Sequence, residues 1–376
     1  MESQIKVAHL ITDFLPVTQN WIYNQIVHNK SCESIVLCQK TLCEEQFPFS
    51  AVYPIVKKRN LFSVPARTLH KVFEHYPTGH HQGVVRKFHP DIFHAHFLLE
   101  AWRNYSLLKK HKIPLITTMY GQDVSQLWRK CFWMKRYRKV FSLCRAFIVE
   151  GQYMKSVVAQ LGCDPEKIHV VKLGIDLSRI VPKRWCDSQK TVKLLFVGLG
   201  REKKGARFAA QSFANVALKA GNVELHLVGD GPYKETVEAI LRERGVSSRA
   251  VFHGMVPVER YQQILKQTDI LLAPSVHAAN GDTEGGAPVV VIEALASGIP
   301  VVGSFHCDIP NIVEDGVSGL LSEEKDVASL SSNLELLVKN RALRRKMGEN
   351  GIRYANREHS IETQVCKITE IYRSVL

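Results

Sequence analysis

The segment from Asp282 to Pro300, DTEGGAPVVVIEALASGIP, constrains the fold more than any other part of this chain. It offers an acid, two glycines and a proline, then an apolar run with one carboxylate, Glu293, and a glycine stop. Pro288 suits the first turn of a helix, where its missing N–H would be unpaired anyway, and Gly298 suits the position just past the end. Gly285 and Gly286 leave the backbone amides before that helix open to close approach. Free N–H groups at the positive end of a helix dipole make a place to hold phosphate. Glu284 and Glu293 flank that place; carboxylates repel phosphate, so they serve something attached to it, such as sugar hydroxyls. The alternative is an ordinary helix start with an exposed glutamate.

A second segment, Lys193 to Gly205 (KLLFVGLGREKKG), weighs on that choice. Leu194 to Val197 reads as a buried strand that empties into a basic, glycine-rich loop, followed by a helix from Ala206 to Ala220. A Walker A loop would need Lys and Ser/Thr after Gly205, where Ala206 and Arg207 stand. A dinucleotide fingerprint accepts Gly198 and Gly200 but needs Gly or Ala where Lys203 stands. What remains is Arg201, Lys203 and Lys204 at the carboxyl end of a strand, where open α/β sheets bind ligands; the plainer reading is a solvated charge run.

Together the segments resemble the donor-binding domain of retaining glycosyltransferases of the GT-B fold, specifically glycosyltransferase family 4. The resemblance rests on Lys204-Gly205, Glu284-Gly285, Pro288, Glu293-Ala294 and Ser297 to Val302, supported by Leu225–Pro232, Phe252-His253-Gly254, Thr268–Ser275 and Ile309–Leu321. It covers residues 190 to 345. Two departures stand out. Leu199 sits where the family usually has arginine, so Arg201 is taken as the substitute. Glu284 and Glu293 are one residue further apart than usual, which the doubled Gly285-Gly286 can absorb.

At 376 residues the chain exceeds one ordinary core, so two domains are expected, with an interdomain linker at 181–191. The boundaries read 1–180, 192–350 and a C-terminal helix over 351–376 that crosses back to the first domain. No apolar run reaches the ~20 residues of a membrane span. The start, MESQIKVAHLITDF, lacks a secretory signal, and nine cysteines without a CxxC pair point to a reducing compartment, so a cytoplasmic protein is expected. Residues 1–185 carry 27 Lys/Arg against 13 Asp/Glu, whereas 186–376 carry 23 of each, so all the excess positive charge lies in the first half.

That half alternates strands (Ile5–Ile11, Ser34–Cys38, Ile92–His96, Leu115–Thr118, Ala146–Val149, Ile168–Lys172) with helical stretches, a second parallel α/β domain. His94–Phe97, Thr117–Ser125 and Leu161–Asp176 resemble family 4 enzymes that extend surface polysaccharides. The loop Phe14 to Asn24 lies where such enzymes close the first strand near the sugar. The resemblance puts Tyr120 where many members have a histidine that hydrogen-bonds the donor sugar; a phenol can donate and accept there but cannot serve as a base near neutral pH. Each residue also has a plainer reading. Asp123 caps a helix, Tyr120 packs in the core with a satisfied hydroxyl, and His94 and His96 are taken to face opposite sides of their strand, at least one of them structural.

The stretch Arg129 to Arg145 (RKCFWMKRYRKVFSLCR) has seven basic residues, no acid, and an apolar face of 133, 137, 140, 141 and 144. Such a helix can lie in an anionic membrane surface, or pack on its own domain with a solvated rim. No nucleic-acid module is present, and no nucleic-acid partner is expected.

The reading is therefore α/β, GT-B, two Rossmann-like domains facing across a cleft. The resemblance implies a retaining, hexosyl-type transferase that moves sugar from a nucleotide-sugar, UDP- or GDP-linked, to a saccharide or lipid-linked saccharide in surface polysaccharide synthesis. Lys204, Arg201, Glu284, Tyr120 and Asp123 are the catalytic candidates. Gly198, Gly200, Gly285, Gly286, Ala287, Glu293 and His253 would bind the donor, with Glu284 on a sugar hydroxyl and Glu293 on the ribose; Gln19, Asn20 and His96 face the acceptor. Lys204 and Arg201 would neutralise the departing diphosphate, so no metal and no cofactor is expected, and no DxD-type pair is seen around Asp13, Asp123 or Asp282. The alternatives are a sugar-nucleotide 2-epimerase of the same fold and a non-catalytic nucleotide-sugar-binding module.

Overall fold

The computed structural model describes residues 4–16, 19–55, 79–185 and 191–376. Residues 17 and 18 of the first-strand loop, and 186–190 of the expected linker, lie outside the described residues. The chain divides into two compact units, one of residues 1–175 with 361–376 and one of residues 176–360. The division thus falls between Ile175 and Asp176. Lys183 belongs to the second unit, where its ammonium is buried against Asp269 at 3.1 Å. Residues 351–358 complete a second-unit helix, Arg341–Glu358, and the C-terminal helix of the first unit is Ile361–Val375.

The first unit holds a seven-stranded parallel sheet made of β1 (Ile5–Phe14), β2 (Cys32–Thr41), β3 (Val52–Pro54), β4 (Ile92–His96), β5 (Leu115–Thr118), β6 (Ala146–Val149) and β7 (Ile168–Val170). Their spatial order is β3-β2-β1-β4-β5-β6-β7, so the winding reverses between β1 and β4. The short edge strand β3 gives no alternating or continuous apolar pattern and is missed in the sequence. The helix Ile361–Val375 covers the sheet through Ile368, Ile371 and Tyr372, which pack with Val7, Ile92 and Ile116.

The second unit has six parallel strands: β8 (Val192–Val197), β9 (Val223–Val228), β10 (Ala250–Gly254), β11 (Ile270–Ala273), β12 (Val301–Ser304) and β13 (Gly319–Ser322). The order β10-β9-β8-β11-β12-β13 reverses between β8 and β11. Central strands of such a sheet are covered on both faces, which is why Leu194–Val197 of β8 and Ile270–Ala273 of β11 read as apolar runs. The helix Ala206–Lys219 follows β8 and buries Ala206, Ala209, Ala210, Phe213, Ala214 and Ala217. A face so rich in alanine brings the helix axis close to the sheet and fixes where the preceding loop is held.

Candidate functional site

β8 and β11 are hydrogen-bonded neighbours at the reversal of the second sheet, so the loops leaving them diverge and open a crevice at their carboxyl ends. The residues after Val197 and after Ala273 close onto one another there. The Val276 N–H donates to the Lys203 carbonyl at 2.8 Å. Gly205 ends the single turn Glu202–Lys204 with φ of 72°, and a Cβ built on it would lie 1.8 Å from the Pro274 carbonyl oxygen. Only glycine meets both demands, the left-handed backbone and the missing side chain. Gly198, at φ 126°, lets the Lys204 stem lie across it; a Cβ there would come within 2.7 Å of Lys204 Cγ.

This closure assembles three cations and two carboxylates. Lys204 Nζ lies 3.0 Å and 3.1 Å from the two oxygens of Glu284. Ser275 Oγ donates to the same carboxylate at 2.9 Å. Lys203 Nζ donates to the Thr283 carbonyl at 2.7 Å and reaches Asp282 at 3.3 Å, and Arg201 meets the other Asp282 oxygen at 3.3 Å. Burial alone would raise the Glu284 carboxyl, but the ammonium groups of Lys204 and Lys203 outweigh it and hold it below the usual carboxylate range. The arrangement carries one net positive charge. Arg201 is 68 % exposed, with most of its five guanidinium N–H groups turned to solvent. Leu199 is fully buried in the core of the second unit, so its side chain takes no part in the crevice.

Beyond Glu284 the chain turns through Gly285, at φ 75°, and Gly286 and Ala287 before the helix Val289–Ala296. Pro288 immediately precedes the first helical residue rather than occupying it. Among the described residues, none accepts a hydrogen bond from the amides of Gly285, Gly286 or Ala287. Gly298, at φ 75°, closes the helix as the sequence indicates. Glu293, one turn in, is partly exposed and accepts from the Tyr261 hydroxyl at 2.6 Å. Burial raises its carboxyl to about 7, the tyrosine hydrogen bond opposing the shift.

Not every expected residue joins this crevice. His253 stacks on His226 with ring centres 5.2 Å apart, and the two share a 2.9 Å hydrogen bond on the β9–β10 side of the sheet. Gly200 lies against Asp230 and Gly231, supporting the loop after β9.

The first-unit candidates fall at the reversal of the other sheet. Gln19 and Asp123 line a cavity of about 160 Å³ with Thr12, Asp13, Glu100 and Arg103; Asn20 begins the helix Asn20–His28 beside it. Asp123 is 1 % exposed and its carboxylate accepts the Tyr120 N–H at 3.0 Å, a capping contact for the short helix Gly121–Ser125. Burial lifts that carboxyl to about 7 despite the hydrogen bonds from the Tyr120, Leu98 and Leu99 backbone. Tyr120 is also buried, with its hydroxyl 3.0 Å from His96 Nδ1. Both side chains therefore fit their plainer readings, cap and core.

His96 corrects two expectations. It is fully buried and held between His9 and Tyr120, so it offers no surface to an acceptor. His94 and His96 share one face, their rings stacked 4.3 Å apart, because residues two apart on a strand point the same way.

The basic stretch follows the second of its two readings, a helix packed on its own domain with a solvated rim. Trp133, Tyr137, Val140, Phe141 and Cys144 all pack inside the first unit, so this apolar face is core. What reaches the surface is Phe132, 68 % exposed, with Arg129, Lys130, Lys135, Arg138, Lys139 and Arg145. Arg136 stacks over Trp133 at 4.7 Å.

Among the described residues, two groups bring ligand atoms within 4.8 Å of one another, as a cation would require: His9, His94 and His96, and His277, His306 and Glu324. Hydrogen bonds already join members of both groups. Sequence reasoning leaves Asp282 solitary and overlooks Ser275, Tyr261 and Glu100. Ser275 closes a strand-end segment that the resemblance quotes; for Tyr261, on the helix Val258–Gln267, no sequence signal exists.

A profile described as Glycosyl transferases group 1 matches residues 183–354, and one described as Glycosyltransferase Family 4 matches residues 32–179. The amylovoran biosynthesis glycosyltransferase AmsK of Erwinia amylovora is 29 % identical over 254 residues, which are 66 % of this chain and 61 % of that protein. The chain thus spans about three fifths of the length of the first curated relatives it matches. Anabaena Alr3699/HepE, solved with UDP and glucose, superposes with a TM-score of 0.77 at 16 % identity, over 99 % of this chain and 100 % of that one. The sucrose-phosphate synthase of Thermosynechococcus elongatus superposes with a TM-score of 0.74 at 16 % identity, over 99 % of both chains. The two profiles leave only residues 180–182 between them, so the chain joins a Glycosyltransferase Family 4 segment to a Glycosyl transferases group 1 segment, on the GT-B fold that its structural neighbours share.

Proposed function

We propose that this chain transfers a hexosyl-type sugar from a nucleotide-sugar to a saccharide or lipid-linked saccharide, with retention of anomeric configuration, in surface polysaccharide synthesis. The observation that carries the reading is the Lys204–Glu284 pair, at 3.0 Å, beside unpartnered loop amides at the switch point of a parallel sheet. Such a place combines cations for a departing diphosphate, N–H groups for its oxygens and a carboxylate for a sugar hydroxyl. AmsK is named for polysaccharide synthesis, which supports the pathway class. HepE binds UDP and UDP-glucose, so UDP-sugars are the first donors to try, followed by GDP-sugars. In this reading Lys204 and Arg201 neutralise the leaving diphosphate without a metal, Glu284 holds the sugar and Glu293 the ribose. Asp123, Tyr120 and His96 shape the first unit from within. The test is transfer from a donor panel to isolated glycan acceptors, with the product anomer read by NMR. Turnover of donor alone into an epimer would instead favour the 2-epimerase, and binding without turnover of any donor the non-catalytic module.

Glu293 gives this reading a pH signature. Its carboxyl, raised to about 7, is half protonated near neutrality, and the ionised form accepts more strongly from the ribose hydroxyls. UDP affinity is expected to rise as pH increases from 6 to 8 and to lose that dependence in Glu293→Gln, by calorimetry. Because the folded-state value lies above the unfolded one, the site also holds a proton the unfolded chain releases. Its contribution to stability is fully present below the unfolded value and is lost as pH rises through about 7. A pH-independent affinity in the parent protein would remove Glu293 from the ribose.

We also propose that the acceptor is met at an anionic membrane surface. No helix among the described residues is long and apolar enough to cross a membrane. With the apolar face of the helix Trp133–Leu143 buried, attachment is electrostatic, aided by Phe132 alone. Each basic residue near such a surface is worth about 1 kcal/mol at best, falling off over about 8 Å in physiological salt. Replacing Lys135, Arg136, Arg138 and Lys139 by Glu should release the protein from phosphatidylglycerol vesicles and leave UDP binding intact. Failure of the unaltered protein to sediment with those vesicles at low salt would point to a soluble acceptor.

A further inference from the structure

Three strand ends of the second sheet contribute to a hydrogen-bonded chain that the proposed chemistry does not use. His277 follows β11, His306 follows β12 and Glu324 follows β13. His306 is fully buried. The backbone N–H of Glu284 donates to its Nε2 at 3.1 Å, so that nitrogen must present a lone pair. The single ring proton then sits on Nδ1, which lies 2.6 Å from Glu324 Oε1. Glu324 is itself fixed by the His277 ring at 2.7 Å and by the His277 backbone N–H at 2.8 Å. Burial would raise the Glu324 carboxyl, but the His277 N–H and the His306 ring outweigh it and keep it below its usual range. An ionised Glu324 accepts from Nδ1 and so selects the tautomer that leaves Nε2 free to receive the Glu284 amide.

We infer that His306 is a positioning residue for the transfer, its tautomer set by Glu324 and its Nε2 holding the Glu284 amide so that the carboxylate and the Gly285–Ala287 amides face the donor. The inference rests on Glu284 as the ligand of the donor sugar. Without this contact Glu284 would still pair with Lys204, but its main-chain N–H would lose its side-chain partner, leaving the Lys203 contact to the Thr283 carbonyl to hold the loop's entry.

The same geometry makes the loop sensitive to acid. A second proton on His306 would put an N–H against the N–H of Glu284 and break the contact. The charged and titratable groups facing the ring are Glu324 and Glu284, which favour the proton, and His277, which opposes it; the Cys307 thiol lies 3.2 Å from Nε2. Desolvation prevails, placing the protonation below the ordinary histidine range. Turnover in the parent should therefore show an acid limb in that region, falling as the neutral ring is lost.

The experiment compares His306→Leu, His306→Gln and Glu324→Gln, each first checked for a native melting transition. His306→Leu should lower kcat by about 10–100-fold, the effect of stranding one buried donor, and change UDP affinity less than threefold. His306→Gln keeps an acceptor near Nε2 but does not titrate, so it should retain most turnover and lose the acid limb. Nitrogen-15 NMR of histidine should show the Nδ1–H tautomer for His306 in the parent and a shifted mixture in Glu324→Gln. An Nε2–H tautomer in the parent overturns the inference whatever the activity. Unchanged kcat in His306→Leu, with Glu284→Gln impaired, also overturns it. If Glu284→Gln is unimpaired, the sugar-ligand reading of Glu284 fails instead, and the inference fails with it.

Discussion

Replacing Lys204 with alanine is expected to lower kcat by about 10²–10³-fold, equivalent to roughly 2–4 kcal/mol in barrier, while activity survives EDTA. The lysine is aimed by two features of the fold. Its stem lies across Gly198, and its ammonium faces both oxygens of Glu284 at 3.0 and 3.1 Å. Of three N–H donors, two satisfy that carboxylate and one is left for an incoming oxygen. Truncation removes the cation twice over: from the diphosphate, and from a carboxylate held below its usual range chiefly by Lys204 and Lys203, with the Ser275 hydrogen bond, against its burial. Glu284 would then take up a proton more readily and hold its sugar hydroxyl less firmly. A double-mutant cycle with Glu284→Gln separates the two losses. If the double variant is no worse than Lys204→Ala alone, the cation acts mainly through Glu284; additive losses place it on the diphosphate. Strong inhibition by chelator would overturn the metal-free reading, and full activity in Arg201→Ala would end that residue's role.

What the sequence makes legible follows physical range. Strand cores at Leu194–Phe196 and Ile270–Ala273 are covered on both faces and read as apolar runs. The glycine stop at Gly298 and the basic loop before Gly205 are local signals, decided within a few residues by backbone chemistry. The pairing of Arg201 and Lys203 with Asp282 is not local, because its partners lie about eighty residues apart and meet only through the order of the sheet. The same holds for His306 and Glu324, which look like scattered polar residues until β12 and β13 lie side by side. The basic helix Trp133–Leu143 shows the opposite failure. Its amphipathic pattern is real, but periodicity tells which face is apolar and not whether protein or lipid covers it. Here Trp133, Tyr137, Phe141 and Phe147 contact one another in succession inside the domain core.

Gly205→Ala should be the most damaging single-methyl change in the second unit. The residue stands at φ 72°, where a Cβ costs an L-residue about 1–2 kcal/mol even in open space. Space is absent as well, since the new carbon would lie 1.8 Å from the Pro274 carbonyl oxygen and 2.8 Å from its carbon. Both obstacles are backbone, so no rotamer change can relieve them, and the loops after β8 and β11 must part. Forced separation of packed groups adds about 1–3 kcal/mol, for a total of roughly 2–5. The consequence reaches function because the Val276 N–H to Lys203 carbonyl bond, 2.8 Å long, spans the same seam. With it strained, Lys203 and Lys204 move away from Asp282 and Glu284. UDP binding should therefore weaken even where the protein stays folded, and the melting of the second unit should fall by several degrees. Ala214→Gly, on the same helix but away from the seam, is the matching control. It should lower stability by about 1–2 kcal/mol, through helix propensity and the loss of one buried methyl, and leave nucleotide affinity unaltered. Equal losses of affinity in the two variants would show that the seam does not hold the lysines in place.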